Sequence, residues 1–588
     1  MATLLETTPR TDAAPEPTAQ GRRSWRRFVN GRYATLTIAS VVVAYLALVP
    51  VCTMLYASLQ SNFLGVGGSQ WTLDNYGRTF SQDGFWPLVA NSFEYAVATS
   101  LVCIVVGFGL AWFVTRTNAP FKAFARAAAL VPMIIPGILN TIAWSLLLSP
   151  EQGPVNQVLR SIGLPAFDVY SLHGMVFVQS MHVVPIAFLM GTAAFSSMDS
   201  SLEEAAMASG ASPSRTFFTI TMRMVRPAIL SAALLMFIQS ISTFDVPQLI
   251  GVPGHTYVFV SKIYAALQQF PADYGTVGVI GVFVLLIAVI GLVLSRRAGR
   301  GAAVQTITGK GFKATVQDIG KWRWVGFALF VVFFVVAVVM PLAMLLWSSL
   351  LPGYEPPSLD ALHDLSFANY VDILHRPVLV KALRNSIIIS FSAALIVTVL
   401  SAVVAYITVK TKVVGRGLLD GLATVPIAVP SIVMGVGILY FYLSAPLPVH
   451  LYGTFTIMII AFVTITMPYG MRYVVPGMSA IKDELEEAAT SSGASWLQSF
   501  TKVFVPLLMP SLLASFLYAM IVSFREISAA IFLYTSGTEV VAVQIYDLFR
   551  NGTYPVVAAL GIVMVLFLVV LVALMQGLSR MFGIKQRR

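Results

Sequence analysis

The 588-residue chain is 57% hydrophobic, 12% aromatic and only 11% charged, a balance outside the range of ordinary soluble domains. Its net charge of +11 would suit nucleic acid, but the basic residues collect between apolar runs, where they record membrane topology. A nucleic-acid partner is excluded on that ground, and the lipid bilayer takes its place.

Residues 1–33, rich in Ala, Pro, Thr and Arg, are expected to form a disordered tail with no packing face. They do not read as a signal peptide, because the first apolar run starts late and is too long for an h-region. Twelve apolar runs follow, at 34–59, 90–115, 123–149, 172–195, 225–250, 273–295, 323–350, 383–409, 417–444, 450–475, 507–534 and 553–582. Each is long enough, at about 20 residues, to cross the hydrocarbon core as a helix. The fold class is an all-α polytopic membrane protein. Cys52 and Cys103 fall in two of these runs, where small buried packing is expected and a disulfide is not. With the N-terminus in the cytoplasm, most Lys and Arg residues fall on the cytoplasmic side, including RRSWRRFVNGR before the first run and KQRR at the end. Both termini are therefore expected to be cytoplasmic.

The chain is a tandem duplication. Asn75-Tyr76 recurs as Asn369-Tyr370, Asn91-Ser92 as Asn385-Ser386, and VPMIIP (Pro132, Pro136) as VPIAVP (Pro426, Pro430), all 294 residues on. Beyond the third run of each half the offset drops to 283, matching Pro185 with Pro468 and Pro227 with Pro510. The predicted domains are 34–295 with a core at 86–295, a cytoplasmic linker at 296–322, and 323–588 with a core at 380–582. Six is an even number of crossings, so the halves run parallel around an axis along the membrane normal, and a central pathway between them follows naturally.

One word is repeated almost unchanged: LEEAAMASGAS at 202–212 and LEEAATSSGAS at 485–495. Ser200 and Asp483 occupy N-cap positions, with Glu203 and Glu486 three residues on at capping-box spacing. Leu202, Ala205, Ala206 and Ser209, and likewise Leu485, Ala488, Ala489 and Ser492, form a narrow face of small residues. Gly210 and Gly493 fall where a left-handed residue would end the helix. Ser212-Pro213 and Ser495 then cap a following segment. The expected object is a helix, a glycine elbow and a second helix leading into the fifth run. A plain interfacial connector is the bland alternative; two near-identical copies favour a matched pair of sockets for two copies of one soluble protein.

The pattern EAA, three residues, Gly, nine residues, then Ile-x-Leu-Pro resembles the signature of permease subunits of binding-protein-dependent ABC importers. It stands here as EAAMASG (204–210) with Ile220, and EAATSSG (487–493) with VFVP (503–506). The first copy has Met222-Arg223 in place of Leu-Pro, which leaves its local bend open. The resemblance implies the type I transmembrane fold, a place in a bacterial inner membrane, two copies of an ABC ATPase subunit, a periplasmic substrate-binding protein and a small solute. It also implies that Glu203, Glu204, Ala205, Ala206, Gly210, Glu486, Glu487, Ala488, Ala489 and Gly493 couple to the ATPase by a helix-in-groove contact. TFDVPQLIG (243–251), TYVFVSKIY (256–264), PADYG (271–275) and SFREISAAIFLY (523–534) resemble the ferric-iron permease subgroup, whose neighbours also carry thiamine, polyamines and phosphonates.

No phosphate loop occurs; TGKG (308–311) has Gly after Lys and lacks the first glycine. ATP and Mg are therefore expected on partner subunits, with no cofactor, metal or enzyme chemistry in this chain. Ionisable residues inside apolar runs are functional candidates. Asp245, with Arg525 and Glu526 near its counterpart in the second half, is expected along the pathway, although Arg525 and Glu526 could equally pair with polar groups of the bundle. Gln179 and His182 share a helix face at i, i+3 and join the pathway candidates; a metal-ligand role is one reading of the pair, and an interhelical hydrogen bond is the commoner role of a lone intramembrane histidine. A twelve-helix secondary transporter driven by an ion gradient shares the parallel halves but has no use for paired elbows.

Overall fold

In a bilayer no water satisfies backbone polar groups, so apolar runs close their hydrogen bonds within helices. The computed structural model describes residues 31–61, 69–199, 201–303, 316–445 and 450–581. The tail expected over 1–33 lies almost wholly outside these residues, as do the middle of the linker expected over 296–322 and the N-cap candidate Ser200. The first half contains α1 (Thr37–Ser58), α2 (Phe85–Arg116), α3 (Lys122–Ile134), α4 (Gly137–Leu147), α5 (Leu172–Ser196), the short α6 (Ser201–Ala208), α7 (Pro213–Ile241) and α8 (Tyr274–Ala298). The second half repeats them as α9 (Trp322–Leu350), α10 (Pro377–Lys410), α11 (Arg416–Ala428), α12 (Ser431–Ser444), α13 (Phe455–Ala480), the short α14 (Glu484–Ser491), α15 (Trp496–Phe524) and α16 (Tyr554–Leu578).

Ten of these helices are long and apolar enough to cross a membrane, and twelve spans result if α3 with α4 and α11 with α12 each count as one. Those two runs, predicted as straight spans, bend by 96° and 108°. The cause is Pro136 and Pro430. The residue before a proline is driven out of the helical region, and Ile135 and Val429 indeed take extended backbone, at ψ 123° and 121°. The helix of the fifth run in each half starts and ends earlier than predicted. α7 and α15 stop at Ile241 and Phe524, so Asp245, Arg525 and Glu526 sit just beyond a helix end and not inside a span.

The two halves exchange their first helices. α1 packs against α11 and α12 of the second half, and α9 against α3 and α4 of the first. The Tyr45 and Tyr442 hydroxyls bond across the first contact. At Gly437 a Cβ would overlap the Pro50 carbonyl, so the glycine permits the helices to touch backbone to backbone. Across the second contact the Tyr354 hydroxyl donates to the Leu146 carbonyl at 2.7 Å, and Phe121 and Phe124 meet Phe327 at 5.3 and 6.0 Å between ring centres. Each half is thus clamped by an element of the other. Cys103 is buried as expected, whereas Cys52 is exposed on α1.

Candidate functional site

Both copies of the repeated word fold as helix, glycine elbow, helix. Gly210 and Gly493 take φ of +87° and +81°, and the amides of Ala211 and Ala494 return to the carbonyls of Ala206 and Ala489 at 3.0 Å. This is the left-handed C-terminal cap that glycine adopts without a Cβ penalty. Ser212 then caps the amide of Arg215 at 3.4 Å, and Ser495 forms a reciprocal box with Gln498. A single π-helical turn follows in each copy, Phe217–Thr221 and Phe500–Phe504. The first copy makes this turn without the proline of the second, so the backbone feature does not depend on it. Leu202 and Leu485 are exposed at the two elbows.

The capping-box role expected of Glu486 is corrected: no side-chain bond caps its helix at Asp483. The cap candidate opposite Glu203, Ser200, lies outside the described residues. Each carboxylate bonds to the second long helix of its own half, α2 or α10. Glu203 is buried and pairs with Arg116, the last residue of α2, whose side chain is 0% exposed. The Thr221 hydroxyl also donates to Glu203. Glu486 instead accepts from the Tyr406 hydroxyl at 2.5 Å, inside a cluster of Trp496, Phe500 and Phe504 rings. Lys410, the counterpart of Arg116, reaches the Ile481 carbonyl and Asp483. One elbow is tied to its span by a buried ion pair, the other by a hydrogen bond within an aromatic cluster and an ion pair whose Asp483 side is exposed.

The five predicted intramembrane candidates line one cavity of about 210 Å³ between the halves. Gln179 and His182 come from α5, Asp245 from the segment after α7, and Arg525 and Glu526 from the segment after α15. Gln179 donates to the Thr243 hydroxyl at 2.9 Å, which is the interhelical bond weighed as the alternative, yet the pair still faces the cavity. The Nδ1 atom of His182 is buried without a partner among the described residues. Arg525 donates to the Met133 carbonyl at 2.7 Å, a group left over where α3 breaks. At Gly137, first residue of α4, a Cβ would overlap the Asp245 carboxylate, which would have to move aside. Glu526 accepts from the Ala529 amide at 3.2 Å.

Sequence reasoning missed several lining residues: Asn140, Thr141, Ser431, Tyr469 and Tyr518. Uncharged polar residues in apolar runs are too common to stand out; only the bends at Pro136 and Pro430, which aim α4 and α12 at the cavity, could have flagged them. Phe244 packs on Tyr264 and Tyr546 at 5.5 and 5.8 Å, and Tyr264 on Phe532 at 5.9 Å. This aromatic layer is built where the chain continues past α7 and α15, and it meets the cavity through Phe244.

Two clamped, parallel halves around a polar cavity, each carrying an elbow on the same face, define the membrane-embedded permease of a transport system. The chain belongs to the family described as the binding-protein-dependent transport system inner membrane component, which matches residues 103–301 and 394–583. It is accordingly the transmembrane permease subunit of an ATP-driven ABC importer, a multi-pass inner-membrane protein that passes a small solute received from a binding protein, and not an ion-gradient transporter. It is similar to the ferric transport system permease protein FbpB of Actinobacillus pleuropneumoniae, 25% identical over 490 residues that cover 82% of this chain and 70% of the relative. A putative ferric transport system permease protein FbpB 1 of Haemophilus influenzae is 26% identical over 79% of this chain and 72% of its own. Among solved structures, a bacterial ABC transporter involved in import of the acidic polysaccharide alginate aligns with a TM-score of 0.39 and 18% identity, over 49% of this chain and 99% of its own.

Proposed function

We propose that this permease imports ferric iron or a small ferric complex, that its two elbows each dock one copy of a separate ATPase subunit, and that the cavity between its halves is the translocation pathway. The observation that carries this reading is the doubled elbow on one face beside one shared polar cavity. The names of the two ferric permease relatives support the substrate, because each aligns across both halves. Exposed faces at Glu204, Ala205 and Gly210, and at Glu487, Ala488 and Gly493, with Ala206 and Ala489 half-buried beside them, fit a groove on a partner, while Glu203, and Glu486 with it, hold the elbows to the spans. ATP and Mg would bind the partner subunits, and the elbows and both termini would face the cytoplasm. The predicted division into 34–295 and 323–588 serves as the functional unit of each half, with the exchanged first helices binding the halves together.

ATP-driven approach of the two partner subunits would draw the elbows together, and the halves would shift between outward and inward access because nucleotide binds one arrangement better than the other. Gly210→Pro and Glu204→Lys are each expected to reduce co-purification of the ATPase subunit; unchanged co-purification in both would overturn the docking role. Elemental analysis of the partner binding protein reads the substrate directly: iron supports the reading, and an iron-free organic ligand removes it.

A further inference from the structure

The cavity is asymmetric where the fold is not. Superposing the halves by their repeat places Asp245 against Ser528, and Ser242 and Thr243 against Arg525 and Glu526. Gln179 and His182 are matched by Phe462 and Ile465, and Tyr469 and Tyr518 by Ile186 and Leu235. A scaffold role shared by both halves would keep the same chemistry on both sides. Instead two carboxylates, one guanidinium and two phenols are brought together from unlike positions.

The charges are not mutually satisfied. Among the described residues the ion pairs within 4.0 Å are Arg116–Glu203, Arg376–Asp372 and Lys410–Asp483, none in the cavity. Arg525 interacts at longer range with Asp245, Glu526, His182 and Tyr469, but its direct bond goes to the Met133 carbonyl. Two carboxylates therefore face a space holding one cation that is tied elsewhere. Helix ends do not settle the charge, because the C-termini of α7 and α15 and the N-termini of α4 and α12 all meet here and their dipoles oppose. The side chains decide, and they set two carboxyl groups against one guanidinium.

We propose that this cavity is a transit binding site for a hard, oxygen-seeking cation or its small hydrated complex, with Asp245 and Glu526 as its ligands and Arg525 as a built-in counter-cation that the solute displaces. Carboxylate and water oxygens suit such ions. A cavity of about 210 Å³ has room for an ion that keeps several of its waters. No three His, Cys, Asp or Glu side chains converge on a metal position among the described residues, so the site holds its ion through few direct ligands. That weakness is what conduction requires, since binding must favour arrival without preventing departure.

The inference rests on the pathway reading above, but its test needs neither ATPase nor binding protein. The probe is Tb³⁺, a hard trivalent ion whose luminescence is sensitised by nearby phenols; Tyr469 and Tyr518 line the cavity with rings 5.3 Å apart. Full-length protein in lipid nanodiscs is titrated with Tb³⁺. Asp245→Asn and Glu526→Gln should each weaken the tyrosine-sensitised site about tenfold, whereas Arg525→Gln should tighten it about tenfold, and Tyr469→Phe with Tyr518→Phe should remove most of the signal. Tenfold corresponds to about 1.4 kcal/mol. The opposite sign for Arg525 separates charge recognition from damage to the fold, which would weaken binding in all variants. Equal titrations in wild type and both carboxylate variants, or weakening in Arg525→Gln, overturns the site while leaving the permease assignment standing.

Discussion

The buried pair at the first elbow gives the sharpest energetic test. Arg116 and Glu203 are 0% and 3% exposed, so Glu203→Met leaves a guanidinium in a dry site with no countercharge. Removing one partner of such a pair typically costs about 3–5 kcal/mol, whereas replacing both with apolar residues of similar volume is often neutral. Arg116→Met alone leaves the Glu203 carboxylate with only Thr221 and should cost a similar amount. At the second elbow Glu486→Gln perturbs one hydrogen bond from Tyr406, for which about 0.5–1.5 kcal/mol is expected. The assay is a denaturation series on the purified permease, with hydrogen exchange of residues 201–221 reporting whether the loss is local. A double-mutant cycle over Arg116 and Glu203 should return a coupling above about 2 kcal/mol, since contacting charges are strongly non-additive. A cycle that closes within about 0.5 kcal/mol, or an equal loss at Glu486, would refute the claim that the two elbows are anchored by different physics.

Gly210→Ala and Gly493→Ala meet no neighbour within 4 Å, so only the left-handed backbone penalty of about 1–2 kcal/mol applies; weakened ATPase association without loss of folded permease is the expected result. Gly137→Val should push the Asp245 carboxylate out of place and abolish uptake in proteoliposomes while ATPase association stays intact. Burial raises the Tyr354 phenol from 10.0 to about 12. In the unfolded chain it ionises from about pH 10 while in the folded protein it stays neutral, so the stability it contributes is lost as pH rises from 10 to 12. Tyr354→Phe should flatten that part of the pH–stability curve.

Much of the architecture was legible because it rests on local chemistry. The duplication, the parallel halves and the elbows follow from repeated words, crossing parity and glycine spacing, and Gly210 and Gly493 take the positive φ their position demands. Other features depend on partners distant in the chain. Glu203 sits at capping-box spacing, but Arg116, 87 residues earlier, captures it. The bends at Pro136 and Pro430 were written in VPMIIP and VPIAVP, yet hydropathy alone reads through them. The exchange of α1 and α9 leaves no periodic trace, because a lipid-facing stripe and a helix-facing stripe are both apolar in a membrane. The five charged or polar residues singled out in the sequence line one cavity, and they were noticeable because an intramembrane ionisable group is rare. Tyr469 and Tyr518 were not, since aromatic residues abound throughout the apolar runs.

The central claim is that solute crosses this permease through the cavity on the energy of ATP. Its most direct test is uptake of iron, loaded on the partner binding protein, by proteoliposomes that contain the permease and its ATPase subunit. Uptake that requires ATP on the ATPase side, ignores imposed ion gradients and is lost in Gly137→Val is the predicted result. Uptake driven by an ion gradient without ATP, or undiminished in Gly137→Val, would contradict the account.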